Sequence, residues 1–220
     1  YACSVNESID LVNYAQKIGA DAALLTTPYF FRKPSDEGMF DFFDCILKES
    51  NNFPIFLCNV PIYTLIELKH SIIENLMAKH DNIVGIKDLS SDPESITAYA
   101  GVFDNLSVLI GSDRLVFHGL NVQCDGAVSA IGCIFPKYLL QIYNTYKSGN
   151  VDQAWIEQEA LTGIRSLLKR FPSRAAQKYI FSQLKGIYSY VRPPLRDLSD
   201  EDKKHLQIIL EEHGLLQKKQ

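Results

Sequence analysis

A lysine closes the apolar run Ile83-Val84-Gly85-Ile86-Lys87-Asp88, and an amine in that setting can act as a nucleophile. Successive strand residues point to opposite faces. Ile83, Gly85 and Lys87 are therefore expected on one face and Val84 and Ile86 on the other, with Gly85 leaving room beside the lysine. Desolvation disfavours an ammonium, and catalytic lysines are tuned to a pKa of about 7 to 8 in this way, freeing the amine to attack a ketone and form a Schiff base. The plain alternative, on pattern alone, is a surface lysine whose stem lies along a strand end. Polar or reactive residues also follow other apolar runs, at Thr26-Thr27-Pro28-Tyr29, Cys58-Asn59-Val60-Pro61 and Gly111-Ser112-Asp113. Cys58, at the end of an apolar run, reads as a small buried hydrophobe. Asp113 precedes an apolar helical segment, where aspartate is a favoured N-cap.

The elements that must position these groups alternate along the chain. Short apolar runs at 22–27, 54–60, 83–87, 106–110 and 126–130 read as strands covered on both faces. Between them, residues 37–50, 65–79, 93–103 and 113–121 have helical period, and 8–18 forms a helix ahead of the first run. That rhythm predicts a parallel sheet with right-handed crossovers. Beyond Pro136 the pattern becomes helical, over 137–147, 151–168, 175–188 and 199–212. We expect residues 1–136 to form part of a (β/α) barrel and 137–220 to form C-terminal helices that complete and extend it. A doubly wound sheet fits the same strand count. In both architectures the strand C-terminal ends build the site, and the absence of a Gly-x-Gly-x-x-Gly or Walker loop favours the barrel.

The 220 residues suffice for a single barrel-sized core. A net charge of -4, with basic residues only in short pairs such as Lys203-Lys204 and Lys218-Lys219, points away from nucleic acid and from membrane surfaces, and toward small molecules. No apolar stretch approaches the roughly 20 residues of a membrane span, and residues 1–10 lack the pattern of a secretory leader, so a cytoplasmic chain is expected. Cys3, Cys45, Cys58, Cys124 and Cys133 are odd in number and lack zinc-ligand spacing, which reads as reduced thiols and no metal.

Several ordered motifs resemble the Schiff-base aldolases of the dihydrodipicolinate synthase and N-acetylneuraminate lyase family. They are Gly19-Ala20-Asp21-Ala22 leading to Thr27-Pro28-Tyr29, Asn59-Val60-Pro61, residues 82–88 around Lys87, Gly111-Ser112-Asp113, Asp125-Gly126-Ala127-Val128-Ser129 and Arg192-Pro193-Pro194-Leu195. The resemblance implies an α/β fold, a TIM (β/α)8 barrel with a C-terminal helical extension, in which the runs above are the fourth to eighth strands. It also implies that the family's N-terminal strands, with their Thr-Thr carboxylate loop, are missing from this sequence. It makes Lys87 the Schiff-base residue of a class I, pyruvate-dependent carbon–carbon lyase that needs no cofactor. The expected partners are pyruvate, as the keto acid, and an aldehyde, in a homo-tetramer.

The same resemblance places Cys58 where the family carries its proton-transfer tyrosine, with Tyr29 or Tyr63 as groups that could approach the substrate instead. Gly111 and the main chain at Val128 would line the keto-acid end, and Asp113 would bind a substrate hydroxyl if it does not cap the helix. Dihydrodipicolinate synthases carry an arginine shortly after Asn-Val-Pro and a second tyrosine after Pro-Tyr. Here Ile62-Tyr63-Thr64 and Phe30 stand in their place, and Tyr29-Phe30-Phe31-Arg32 and Lys87-Asp88 with Ser90-Ser91 look like 2-keto-3-deoxygluconate aldolases. The expected reaction is cleavage of a 2-keto-3-deoxy sugar acid to pyruvate and an aldehyde. Dihydrodipicolinate synthase and a non-catalytic keto-acid-binding member are the alternatives.

Overall fold

Serine at the start of a helix lends its hydroxyl to a backbone N–H that has no partner within the helix, and two such caps set the first helices of this chain. In the computed structural model, which describes residues 2–103 and 105–216, Ser4 accepts from Glu7 N at the start of α1 (Val5–Lys17) and Ser35 from Gly38 N at the start of α2 (Asp36–Lys48). Between them runs β1 (Ala23–Thr26). The chain continues through β2 (Ile55–Asn59), the single turn α3 (Pro61–Thr64), α4 (His70–Met77), β3 (Ile83–Asp88), α5 (Pro93–Val102), β4 (Ser107–Ile110), α6 (Val116–Asn121) and β5 (Gly126–Ala127). All four strand pairs are parallel and follow sequence order, β1-β2-β3-β4-β5. The parallel α/β sheet with intervening helices expected from the sequence is present.

Residues 2–128 and 129–216 belong to two compact units. In the first, one sheet face is packed under helices: Ile55 and Leu57, Ile86, and Val108 and Ile110 join Phe43, Ile46, Ile73, Leu76 and Ile96 in a single buried cluster. The other face carries Leu24, Phe56, Lys87, Ser107 and Leu109, all at least partly exposed. The second unit is helical, with α7 (Pro136–Lys147) packed on α8 (Val151–Leu168), followed by α9 (Ser173–Lys185) and α10 (Asp200–Glu212). The basic pair Lys218-Lys219 lies outside the described residues.

Four expectations need correction. Ile83 does not share a face with Lys87. The pairing of β2 with β3 shifts between Ile55 and Phe56, so that Ile55 meets Ile83 and Phe56 meets Gly85, leaving Val84 as the extra residue of a bulge; Ile83 joins the core with Ile86. Residues 65–69 are not helical, because Leu65 takes a left-handed conformation (φ 59°) and the Asn59 side chain accepts the N–H of Leu68. The fifth strand stops at Ala127. Asp113 does not cap α6, whose N-cap is Leu115 without a side-chain hydrogen bond.

A buried carboxylate joins α2 to the end of α4. Asp44 is 5% exposed; it accepts from Lys48 Nζ at 2.6 Å and stands 2.8 Å from His80 Nε2 and 3.6 Å from Lys79 Nζ. The Lys48 hydrogen bond, aided by His80, draws its pKa down from 3.8 to about 2 against the opposing effect of burial. A depressed carboxylate stabilises the fold above its unfolded pKa, and that contribution is lost as pH falls through the folded value. Asp44→Asn is expected to lower stability by about 2 kcal/mol at pH 7, with the difference from wild type shrinking below pH 4 and gone near pH 2. Urea denaturation at a series of pH values checks this.

Candidate active site

Parallel pairing brings residues far apart in sequence into rows across the sheet, with neighbouring strands about 4.8 Å apart. One row at the C-terminal ends reads Thr26, Cys58, Lys87, Leu109, Gly126. The row beneath it, on the same face, reads Leu24, Phe56, Gly85, Ser107. Lys87 and Cys58 are thus direct neighbours. Burial pushes the Cys58 thiol above its ordinary range; the positive charge of Lys87 opposes that rise, and Asp88 adds to it. With only 1% of Cys58 exposed, the pair forms an amine beside a protonated, nearly dry thiol.

The floor of this pair is aromatic. A side chain on Gly85 would meet the Phe56 ring, with Cδ1 only 2.5 Å from the position of its Cβ, and the carbonyl of Ser107 at 2.6 Å. Gly85 is glycine because the ring and the Ser107 carbonyl together occupy the space a side chain would need.

Behind the row, on the core face, Asp88 braces the strand ends. It is 1% exposed; Asn59 Nδ2 donates to its Oδ1 at 2.7 Å and Ser90 Oγ to its Oδ2 at 2.6 Å. Asn59 also accepts Leu68 N–H at Oδ1 (3.0 Å) and Leu89 N–H at its carbonyl (2.8 Å), while Gly111 N–H donates to the Asp88 carbonyl at 2.6 Å. Burial raises the Asp88 pKa, and the Ser90 and Asn59 hydrogen bonds hold it back. These contacts fix β2, β3 and β4 against one another at the end where Lys87 stands. Nothing in the local sequence of Asn59 announces this bracing, which depends on a partner 29 residues away. The hydroxyl of Thr27, fully buried just after β1, has no hydrogen-bond partner among the described residues.

The other expected site residues lie on the loops beyond the strands. Tyr29 follows β1 and is 47% exposed; a hydrogen bond with Cys3 raises its pKa. Tyr63, on α3 after β2, is 63% exposed. Among the described residues no hydrogen bond or ring contact joins either phenol to Lys87 or Cys58. Gly111 follows β4, where a side chain would collide with Leu89 and the Asp88 carbonyl. Val128 follows β5 and commits its N–H to the Ile110 carbonyl at 2.8 Å. Asp113, in the loop after β4, is 7% exposed. The segment after Asn59-Val60-Pro61 supplies no cation, since Ile62, Tyr63 and Thr64 form α3. Among the described residues no group of three His, Cys, Asp or Glu side chains is placed to hold a metal ion, and no helix is long and apolar enough to cross a membrane.

The chain as a whole has counterparts among known proteins. The model of the dihydrodipicolinate synthetase family matches residues 2–213. A 4-hydroxy-tetrahydrodipicolinate synthase of Methanosphaera stadtmanae is 31% identical over 219 residues, covering 97% of this chain and 73% of the relative. In structure the chain is similar to YagE, a prophage protein of the dihydrodipicolinic acid synthase family from E. coli solved in complex with pyruvate. That likeness has a TM-score of 0.88 and 26% identity, over 97% of this chain and 73% of the other. The 2-keto 3-deoxygluconate aldolase of Picrophilus torridus shares the fold, with a TM-score of 0.81 and 24% identity over 90% of this chain and 71% of the aldolase.

Proposed function

This chain belongs to the dihydrodipicolinate synthetase family of class I, pyruvate-dependent carbon–carbon lyases, and from that premise we propose that Lys87 forms a Schiff base in the cleavage of a 2-keto-3-deoxy sugar acid to pyruvate and an aldehyde. The observation that carries this reading is the in-register placement of Lys87 beside Cys58 at the strand ends. The Lys87 amine adds to the C2 ketone of the substrate, and with uptake of one proton from solvent water leaves, giving a protonated imine; that proton is released again when the amine is freed. The thiolate form of Cys58, the minority form in this dry setting and the one that grows with pH, takes the proton of the C4 hydroxyl. The C3–C4 bond then breaks, its electron pair passing into the imine to give an enamine, and the aldehyde departs. The same thiol returns its proton to C3, and water releases pyruvate and the free amine. Gly111 and the Val128 main chain border the keto-acid end, Asp113 holds a substrate hydroxyl, and the Tyr29 and Tyr63 phenols stand at the mouth as hydrogen-bond donors to the sugar chain.

The sugar-acid preference rests on the segment 62–64, which offers a phenol and no cation to the aldehyde half of the substrate. A second reading is favoured by the synthase name of the Methanosphaera relative: condensation of pyruvate with aspartate semialdehyde. Side-by-side assays separate the two. We expect cleavage of 2-keto-3-deoxygluconate at a kcat/KM at least tenfold above that for aspartate semialdehyde; the reverse ratio overturns the preference, and activity toward neither leaves a keto-acid-binding protein. Tyr63→Arg is expected to raise aspartate semialdehyde turnover by about 10- to 100-fold while sugar-acid cleavage falls, the scale of one charge-assisted contact. Paired kcat/KM values check it.

A further inference from the structure

The Phe56 ring lies on the Gly85 backbone, in the layer directly beneath Cys58 and Lys87 and on the same face of the sheet. A strand side chain two residues before a reactive one on the same face forms its floor, and a diagonal neighbour of that size is within reach of a long side chain. Phe56 stands two residues before Cys58, and its partner Gly85 two residues before Lys87, so one ring underlies both groups. From β2 to β4 it also fills a layer that would otherwise be open, since Gly85 contributes no side chain and Ser107 only a small one.

We propose that Phe56 is a positioning residue for the Schiff-base step. Its ring excludes water from beneath the pair and denies the flexible Lys87 stem the space below, so that the amine is presented toward the strand ends, where the substrate carbonyl arrives. The inference rests on the proposed role of Lys87. Phe56 touches no reacting atom; it acts through the placement of Lys87, and the ring, with the Ser107 carbonyl, takes up the space beside the Gly85 Cα. Orientation of a catalytic group is a large component of rate, and a displacement of about 1 Å can cost on the order of 100-fold.

The test is a cycle of Phe56→Ala, Gly85→Ala and the double variant, with Phe56→Leu as a fourth protein that keeps the layer apolar. Each is assayed as the full chain, for borohydride-trapped pyruvate on Lys87 and for steady-state kinetics, at a temperature where circular dichroism shows it folded. We expect Phe56→Ala to slow trapping and lower kcat by about 10- to 100-fold with KM for the keto acid changed less than threefold. Phe56→Leu should retain most of the rate. Gly85→Ala should be impaired alone and recover only in part when Phe56→Ala removes the ring, because its methyl also meets the Ser107 carbonyl at 2.6 Å. If Gly85→Ala does not fold, the comparison of Phe56→Ala with Phe56→Leu decides. Unchanged trapping and kcat in folded Phe56→Ala would overturn the positioning role while leaving Lys87 in place; absence of a pyruvate adduct on Lys87 in the wild type would instead remove the function on which the inference rests.

Discussion

Lys87→Met is expected to abolish turnover while leaving the fold intact. Methionine keeps the length and apolar stem of lysine but has no amine, so no imine can form and the electron pair of the C3–C4 bond has no acceptor. Loss of a covalent nucleophile costs about 10⁴-fold or more in kcat, and residual activity should be indistinguishable from background. Lys87→Arg should be as inactive, because a guanidinium retains its proton at any accessible pH and cannot add to a ketone. Because Lys87 is partly exposed and its neighbours keep their packing, the stability of both variants should lie within about 0.5 kcal/mol of wild type. Steady-state assays with matched urea titrations check the pair. An active Lys87→Met protein would exclude covalent catalysis at this residue.

Cys58→Ala should have the second-largest effect. It leaves the amine in place and removes the proposed proton carrier, so pyruvate should still be trapped on Lys87 while kcat for cleavage falls by about 10²- to 10³-fold, the range of a general acid–base group. Because burial raises the thiol pKa, the thiolate that accepts the C4 proton becomes more abundant as pH rises. Wild-type kcat should therefore climb with pH beyond the ordinary thiol range near 8.5, and Cys58→Ala should lose that limb. Cys58→Ser, with a much weaker acid in the same place, should resemble alanine. The residue is 1% exposed, so alanine also leaves a small void, costing about 1 kcal/mol; rates must be compared well below the unfolding transition. A Cys58→Ala enzyme with the wild-type rate and pH profile would reduce the residue to packing.

How much of this was legible in the sequence follows from where the information sits. The strands were visible because Ile55 and Leu57, Ile86, and Val108 and Ile110 all enter one core and so form short apolar runs. The helices were visible where a side chain caps them locally, as Ser35 does for α2. Pairing left no local mark. The bulge at Val84, which moves Ile83 to the core face, arises from a register shift opposite Ile55 and Phe56, and no residue in 83–88 announces it. Residues 65–69 have helical spacing, but the Asn59 amide takes the Leu68 N–H and Leu65 turns left-handed, a tertiary override of local preference.

The candidate site divides in the same way. Lys87 stood out as a charged residue closing an apolar run, and the motifs around it carried the family resemblance. Its adjacency to Cys58 required the register of β2 on β3. Phe56 does not stand out alone, because an aromatic in a strand reads as core. The available signal was a matched spacing: an aromatic two residues before Cys58 and a glycine two residues before Lys87, each the complement of the other once the strands pair. The Asn59–Asp88 brace had no such signal.

Borohydride reduction in the presence of pyruvate, followed by peptide mass mapping, addresses the Schiff-base assignment most directly, because reduction converts a transient imine into a stable secondary amine. One pyruvyl adduct is expected, on the peptide containing Lys87, absent from Lys87→Met and formed at near wild-type yield in Cys58→Ala. An unmodified Lys87, under conditions that label an active relative, would contradict the assignment and leave the chain a keto-acid-binding member of its family.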